Sequence, residues 1–351
     1  MKKKMSLAEI LDDRFFELGG FTSLNKSTHF VFGKGGFCSE KKVESINHYF
    51  YVKEFYSSEF IYYYPEDLYT FEREEVFSEV NKFLDFELSL GKTRHFDELF
   101  AQDFDDLKES LNNHFKKAVL ISSEWINTKR PDENKKRVFA KSILSGEGTP
   151  YGLWNNRYSV IGITPEILFE RKGRNVETLA LAGTARRGED ALILSSKKDR
   201  VEHDLVVQHI LEELKPLSNQ IEAGETRVSG FGNLIHLKTP INARLREEIQ
   251  DAQLINQLSP TAALGGYPKF EALAFLKKTK YFAEFPHRFF GSVFGLNQDE
   301  SHLGLVMIRN IQFKDESLVI ESGAGIVFES ELSKEMQEII LKREAIKELL
   351  L

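Results

Sequence analysis

The sequence predicts an α+β protein: a large layered sandwich of antiparallel sheets with flanking helices. Three observations carry that expectation. Short runs of alternating apolar residues recur, as in YSVIGITP, EILFERKGR and NVETLALAG, and period-two alternation marks half-buried strands. The connections between them are hairpin-sized, with Lys172-Gly173-Arg174-Asn175 as turn material, and such short links join antiparallel neighbours. Helical patterns interrupt the hairpins without following every strand, which suits separate sheets and helices better than a parallel α/β sheet.

Taken in order, MKKKMSLAEILDDRFFELGG starts basic and turns acidic without an unbroken apolar stretch. It reads as a cytoplasmic start, not a signal peptide. HYFYVKEFYSSEFIYYYPEDLYTF alternates aromatics and predicts half-buried strands. Basic residues are not interleaved with those rings, so packing explains them better than stacking on nucleic acid. DFDDLKESLNNHFKK predicts an amphipathic helix, acidic in its first turn and basic in its last. KAVLISSEWI follows as a strand and RPDENKKR as a charged, exposed loop. After the hairpins that begin at Tyr158, SSKKDRVEHDLVVQHILEELK predicts a helix with Val207, Ile210, Leu211 and Leu214 on one face, broken before Pro216. KFEALAFLKK is a shorter helix. LGLVMIRNIQF and SLVIESGAGIVF flank KDES as a further hairpin, and the last helix runs from about Ser333 to the end. No Pro/Gly/Ser-rich linker divides these elements, so residues 1–351 are expected to form one domain.

The chain has 351 residues and a formal net charge of −7, long enough for a large core. A mildly negative chain lacks the concentrated basic surface that phosphate binding needs, which argues against nucleic acid. No apolar run approaches a membrane span. The lone Cys38 rules out an internal disulfide framework and an all-cysteine zinc site, and suits a reducing compartment.

The residues with chemical promise lie in two regions. Glu335, Glu338 and Lys342 are three and then four residues apart, so at about 100° per residue they share one narrow helical face. Met336, Ile339, Ile340 and Ile346 are expected to face the core. Ordinary helical ion pairs would explain such a face. The preceding SGAGIV adds glycines 323 and 325, which allow close backbone approach. Glu202, in KDRVEHDLVV, sits at the edge of an apolar stripe, and a half-buried carboxylate there needs a partner. A lysine would suffice; so would a hard cation such as Mg2+, which takes oxygen ligands. His203 reads as structural, and the absence of paired His/Cys spacings disfavours zinc. Glu166 follows Pro165 at the start of EILFE; enclosed, its pKa would rise toward general-acid use. Lys117 opens KAVLIS; desolvated beside other cations, it could act as a base. Arg309 stands in the run Leu305–Ile308 and wants an anionic partner.

In order along the chain, TPE, LAGTARRG, KDRVEH, HLKTP, LSPTAALGGYP, GSVFG, MIRN, and GAGIV followed by ExxE and Lys342 resemble the chorismate-utilising enzymes. That family includes anthranilate, aminodeoxychorismate, isochorismate and salicylate synthases. The resemblance covers residues 110–351, with 1–105 divergent. It implies a large α+β sandwich with its active site between two sheets. It implies Glu202 and Glu338 as Mg2+ ligands with Glu335 beside them. Substrate contacts would come from Gly183, Thr184, His236, Arg309, Gly325 and Lys342, with Glu166 as general acid and Lys117 as the lysine that activates water. Lysine and AGTARRG favour isochorismate synthase, which needs no glutaminase partner; Phe290, where salicylate synthases carry tyrosine, favours release of isochorismate. Ser259 and Ala262 depart from the family's pattern, as do His287, where arginine is common, and the IS after Lys117 in place of SR.

Overall fold

A computed structural model describes residues 5–24, 28–112, 114–155, 158–298 and 301–351; the basic start at residues 1–4 lies outside them. Among the described residues the strands form two sheets of ten strands each. The first runs, in spatial order, through Gly266–Tyr267, Lys117–Asn127, Ser317–Ile326, Asn310–Lys314, Ser159–Thr164, Thr149–Trp154, Gly19–Leu24, His29–Lys34 and Asp67–Glu72. The second runs through Ser218–Ala223, Leu234–Leu245, Asn175–Arg186, Ile167–Lys172, Ser301–Val306, Val293–Gln298, His48–Lys53, Ile61–Tyr64 and Phe37–Ser39. One further short strand joins each sheet off these paths. Neighbours are antiparallel, and the predicted Lys172–Asn175 turn closes its hairpin with those two residues in register. This is the α+β sandwich that the strand pattern predicts. The N-terminal strands are built into both sheets: His48–Lys53, for example, pairs with Val293–Gln298.

Phe50, Val52, Tyr63, Tyr151, Leu153, Val160, Phe294, Leu296 and Leu305 form a buried cluster from strands of both sheets. Each such side chain stabilises the sandwich by about 1.5–3 kcal/mol on burial. The helix Lys197–Leu214 packs on the Asn175–Arg186 strand of the second sheet. The C-terminal helix Leu332–Leu350 packs on Ser317–Ile326 of the first. No helix among the described residues is long and apolar enough to cross a membrane.

Several local expectations need correction. RPDENKKR is not a loop: it lies in the helix Pro131–Leu144. Pro131 at the first turn and Asp132 and Glu133 beside it are helix-start signals that outweigh the charge density. The helix expected over DFDDLKESLNNHFKK spans Asp97–Ser110, starting earlier and ending before His114, Lys116 and Lys117, with Lys108 in its last turn. The buried face of Lys197–Leu214 is built from Glu202, His203, Leu205, Val206, His209, Ile210 and Leu214, whereas Val207 and Leu211 are only half-buried. In the C-terminal helix Ile340 is exposed while Glu335 and Arg343 are buried. Polar partners across the packing surface, invisible to periodicity, explain these reversals.

LGLVMIRNIQF is not one strand either. Ser301–Val306 belongs to the second sheet and Asn310–Lys314 to the first, so residues 307–309 cross between them. Residues 165–166 cross in the same manner, between Ser159–Thr164 and Ile167–Lys172. The crossings are tied to their neighbours by Val306 N–H to Glu166 O at 3.0 Å and Ile163 N–H to Arg309 O at 3.1 Å. Arg309 takes φ 52°, left-handed backbone that a strand interior does not use. Glu166 and Arg309 therefore stand at the passages between sheets, where side chains face the cleft.

Candidate active site

The cleft holds a pocket. Glu166, Gly183, Thr184, Glu202, His236, Arg309, Gly325 and Lys342 all line it. Glu335 and Glu338 border an adjoining cleft together with Thr184, Lys198 and Asp199. Lys117 lies one layer deeper, fully buried beneath the wall. The eleven residues singled out from the sequence are thus gathered in one region.

Glu166 is buried, and Thr261 Oγ1 donates to its Oε1 at 3.4 Å. Burial pushes its carboxyl up to about 8, against the pull of the Lys117 charge and the Thr261 hydrogen bond. A carboxyl of that kind is protonated near neutral pH and can donate.

Lys117 Nζ meets Glu202 Oε1 at 3.0 Å. Burial disfavours its ammonium form; Glu202 opposes that effect, while Lys198 and Lys342 add to it. Burial also works against the charge of Glu202, but Lys117, Lys198 and Lys342 outweigh it and hold the carboxyl at about 2. Both partners therefore shift downward: three cations share this carboxylate, and Lys117 among them is fully buried. Glycine at 325 gives this pair its room, because a Cβ would stand 2.0 Å from Glu202 Oε1 and 2.7 Å from Lys117 Cε and would displace them.

A second unit surrounds Arg309. The ladder between Asn175–Arg186 and Leu234–Leu245 shifts register between Ala182 and Ala185, a bulge at Gly183 and Thr184. Gly183 sits at φ 73° and its carbonyl accepts from His236 Nδ1 at 2.8 Å. With its proton on Nδ1, His236 offers Nε2 to Arg309 Nη2 at 2.9 Å. Burial and the Arg309 charge hold the His236 ring neutral, its pKa near 3. Arg309 Nη1 is buried without a hydrogen-bond partner, a donor suited to an anion. Lys342 Nζ donates to Glu338 Oε1 at 2.7 Å and to Gly323 O at 2.8 Å.

Lys198 was not singled out from the sequence, though it precedes Glu202 by one helical turn. Its Nζ lies 3.2 Å from Glu202 Oε2 and 3.3 Å from Glu335 Oε1 and Glu338 Oε2. Among the described residues no three His, Cys, Asp or Glu groups are set at metal-binding geometry; these carboxylates are spread around the ammonium instead. The donor set nevertheless suits a hard cation, being carboxylate oxygens converging on one point. Burial and the charge of Glu338 push Glu335 upward. Glu338 moves downward: burial opposes its charge, but Lys198 and Lys342 prevail.

Two further residues were missed. Thr261, in the atypical LSPTAALGG, reaches Glu166 as described. Glu321 lines the pocket and accepts from Tyr281 Oη at 2.9 Å and Phe290 N–H at 3.3 Å. Only tertiary contacts reveal it, since it looks like any strand glutamate. His287 is exposed and takes no part; the neighbouring Arg288 is buried and donates to Phe290 O at 2.8 Å and Leu264 O at 3.0 Å. At Ser122, in the IS segment, Arg343 arrives from the C-terminal helix and pairs with Asp97 at 2.8 and 2.9 Å.

A family model described as chorismate binding enzyme matches residues 91–351. The chain belongs to the chorismate-binding enzymes. Over 200 residues it is 32% identical to the salicylate biosynthesis isochorismate synthase of Pseudomonas aeruginosa, covering 54% of this chain and 41% of that protein. Over 208 residues it is 28% identical to anthranilate synthase component 1 of Aquifex aeolicus, covering 56% of this chain and 42% of that one. The matches therefore span less than half the length of these two relatives. The solved structure of MenF, the menaquinone-specific isochorismate synthase from Escherichia coli, superposes with a TM-score of 0.83 at 17% identity, over 100% of this chain and 92% of that one. That likeness establishes the shared fold. Family relatives include both isochorismate and anthranilate synthases.

Proposed function

We propose that this family member is a Mg2+-dependent isochorismate synthase of the cytoplasm, working without a glutaminase partner. The observation that carries the reading is the pairing of a buried, protonated Glu166 with a fully buried Lys117 whose proton affinity is lowered by burial. One group can give a proton while the other takes one.

In this reading Arg309, with its free Nη1, and Lys342 bind the substrate's carboxylates. The Lys117 amine takes a proton from water as the water oxygen bonds to C2 of chorismate. The ring double bond shifts and the C4–oxygen bond breaks. Glu166 gives its proton to the departing hydroxyl, which leaves as water, so one water enters and one departs. Thr261 holds the Glu166 carboxyl in place, and neutral His236 fixes the Arg309 guanidinium. Glu202, Glu335 and Glu338 would hold Mg2+, whose chemistry is charge neutralisation of a substrate carboxylate. Phe290 offers no hydroxyl to the pocket wall, which favours stopping at isochorismate.

The purified chain is expected to convert chorismate to isochorismate with Mg2+ alone, followed by chromatography and by a lactate dehydrogenase assay for pyruvate. Consumption that begins only when ammonium is added would favour an amination reaction, and pyruvate released in step with chorismate loss would favour salicylate synthesis. Lys117→Ala is expected to reduce turnover by roughly 10²–10⁴-fold with substrate binding largely kept. Near-normal turnover in that variant would remove Lys117 from the reaction.

A further inference from the structure

We infer that Lys198 is a built-in counter-cation that competes with a divalent metal ion for the carboxylates of Glu202, Glu335 and Glu338. The inference rests on the cation-site reading above and adds a residue that would set how tightly that cation is held. Four carboxylate oxygens surround Lys198 Nζ at nearly equal range: Glu202 Oε2 at 3.2 Å, both oxygens of Glu335 at 3.3 Å and Glu338 Oε2 at 3.3 Å. Asp199 Oδ1 follows at 3.9 Å.

An ammonium has three protons, so four oxygens cannot each receive their own. The distances exceed those of tight charge-assisted hydrogen bonds, about 2.7–2.9 Å. The ammonium is held at the centre of a charge cluster, not locked to one carboxylate. That centre joins two helices, since Glu202 lies on Lys197–Leu214 and Glu335 and Glu338 on Leu332–Leu350. A metal ion drawing on the same oxygens would stand within a few ångströms of the ammonium, and the repulsion is severe in a site this enclosed. Lys198 has to leave for the metal to enter. It can do so: its side chain is 18% exposed and borders the cleft that also carries Glu189, Glu329 and Glu331. Glu202 Oε1 meanwhile keeps its pair with Lys117, so the exchange leaves the deeper lysine in place. Lys198 thus keeps the acidic cluster neutralised without metal and weakens metal binding in return.

The test is calorimetric titration of the full chain, stripped with chelator, with MgCl2. Lys198→Gln is expected to bind Mg2+ at least about tenfold more tightly than the unaltered chain, while Lys198→Arg, which keeps the charge, shows no gain. Equal or weaker binding by Lys198→Gln would overturn the competition. Glu338→Gln is the control for the underlying site and is expected to lose binding; if it binds Mg2+ normally, the cation-site reading itself fails and the competition fails with it. A readout that needs no variant comes from acetic anhydride labelling of the unaltered chain, quantified by mass spectrometry. Labelling of Lys198 is expected to rise several-fold when Mg2+ is added. Unchanged or reduced labelling would count against displacement.

Discussion

Glu166→Gln is expected to lower turnover of chorismate by roughly 10²–10⁴-fold while leaving substrate binding near that of the unaltered chain. The amide keeps the shape of the carboxyl and its contact with Thr261 but has no proton to give a departing hydroxyl. The same substitution has a second consequence, of opposite sign. Burial raises the Glu166 pKa from the ordinary 4.5 to about 8, so the folded state holds a proton that the unfolded state releases. The stability from that protonated carboxyl is fully present below about pH 4.5 and is lost as pH rises through about 8. Glutamine removes this dependence. Glu166→Gln is therefore expected to unfold at higher denaturant concentration than the unaltered chain at pH 8, with the gap narrowing toward pH 5. A variant that is both less stable and fully active would remove Glu166 from the acid role. A gain in stability with loss of turnover is what a residue retained for chemistry shows.

Glu202→Gln carries the largest expected cost to the fold. Its carboxylate is the partner of Lys117, which has no exposure, at 3.0 Å, and of Lys198 at 3.2 Å. Removing one member of a buried pair strands the other, at about 3–5 kcal/mol. Unfolding in urea is expected to show that loss, and calorimetry to show loss of Mg2+ binding. Adding Lys117→Met to Glu202→Gln is expected to recover much of the stability, because no buried charge is then left alone, but not the activity. If Glu202→Gln unfolds at the same urea concentration as the unaltered chain, the Lys117–Glu202 pair does not hold this part of the fold.

The gathering of candidate residues was legible because each sits in a local pattern that survives folding. Glu335, Glu338 and Lys342 repeat at helical spacing, and the structure keeps Lys342 on Glu338 at 2.7 Å one turn away. The Lys172–Asn175 turn closes as its glycine predicts. What periodicity misjudged was depth. Lys117 looked like a helix-end lysine and lies at the bottom of the site. Ile340 looked like core and is exposed, while its neighbour Glu335 is buried because Lys198 meets it from another helix.

Alone, the sequence determined the antiparallel α+β class and the set of acids and bases, since these follow from side-chain period, turn residues and residue identity; the helix Pro131–Leu144 was not among its readings. Tertiary structure decided the rest. It broke LGLVMIRNIQF into two strands of different sheets and so turned Arg309 into the cleft. It set Thr261 on Glu166 across 95 residues of chain, and Lys198 on Glu335 across 137. The physical reason is that protonation and ion pairing depend on desolvation and on charges brought within a few ångströms. Neither quantity exists until distant segments pack.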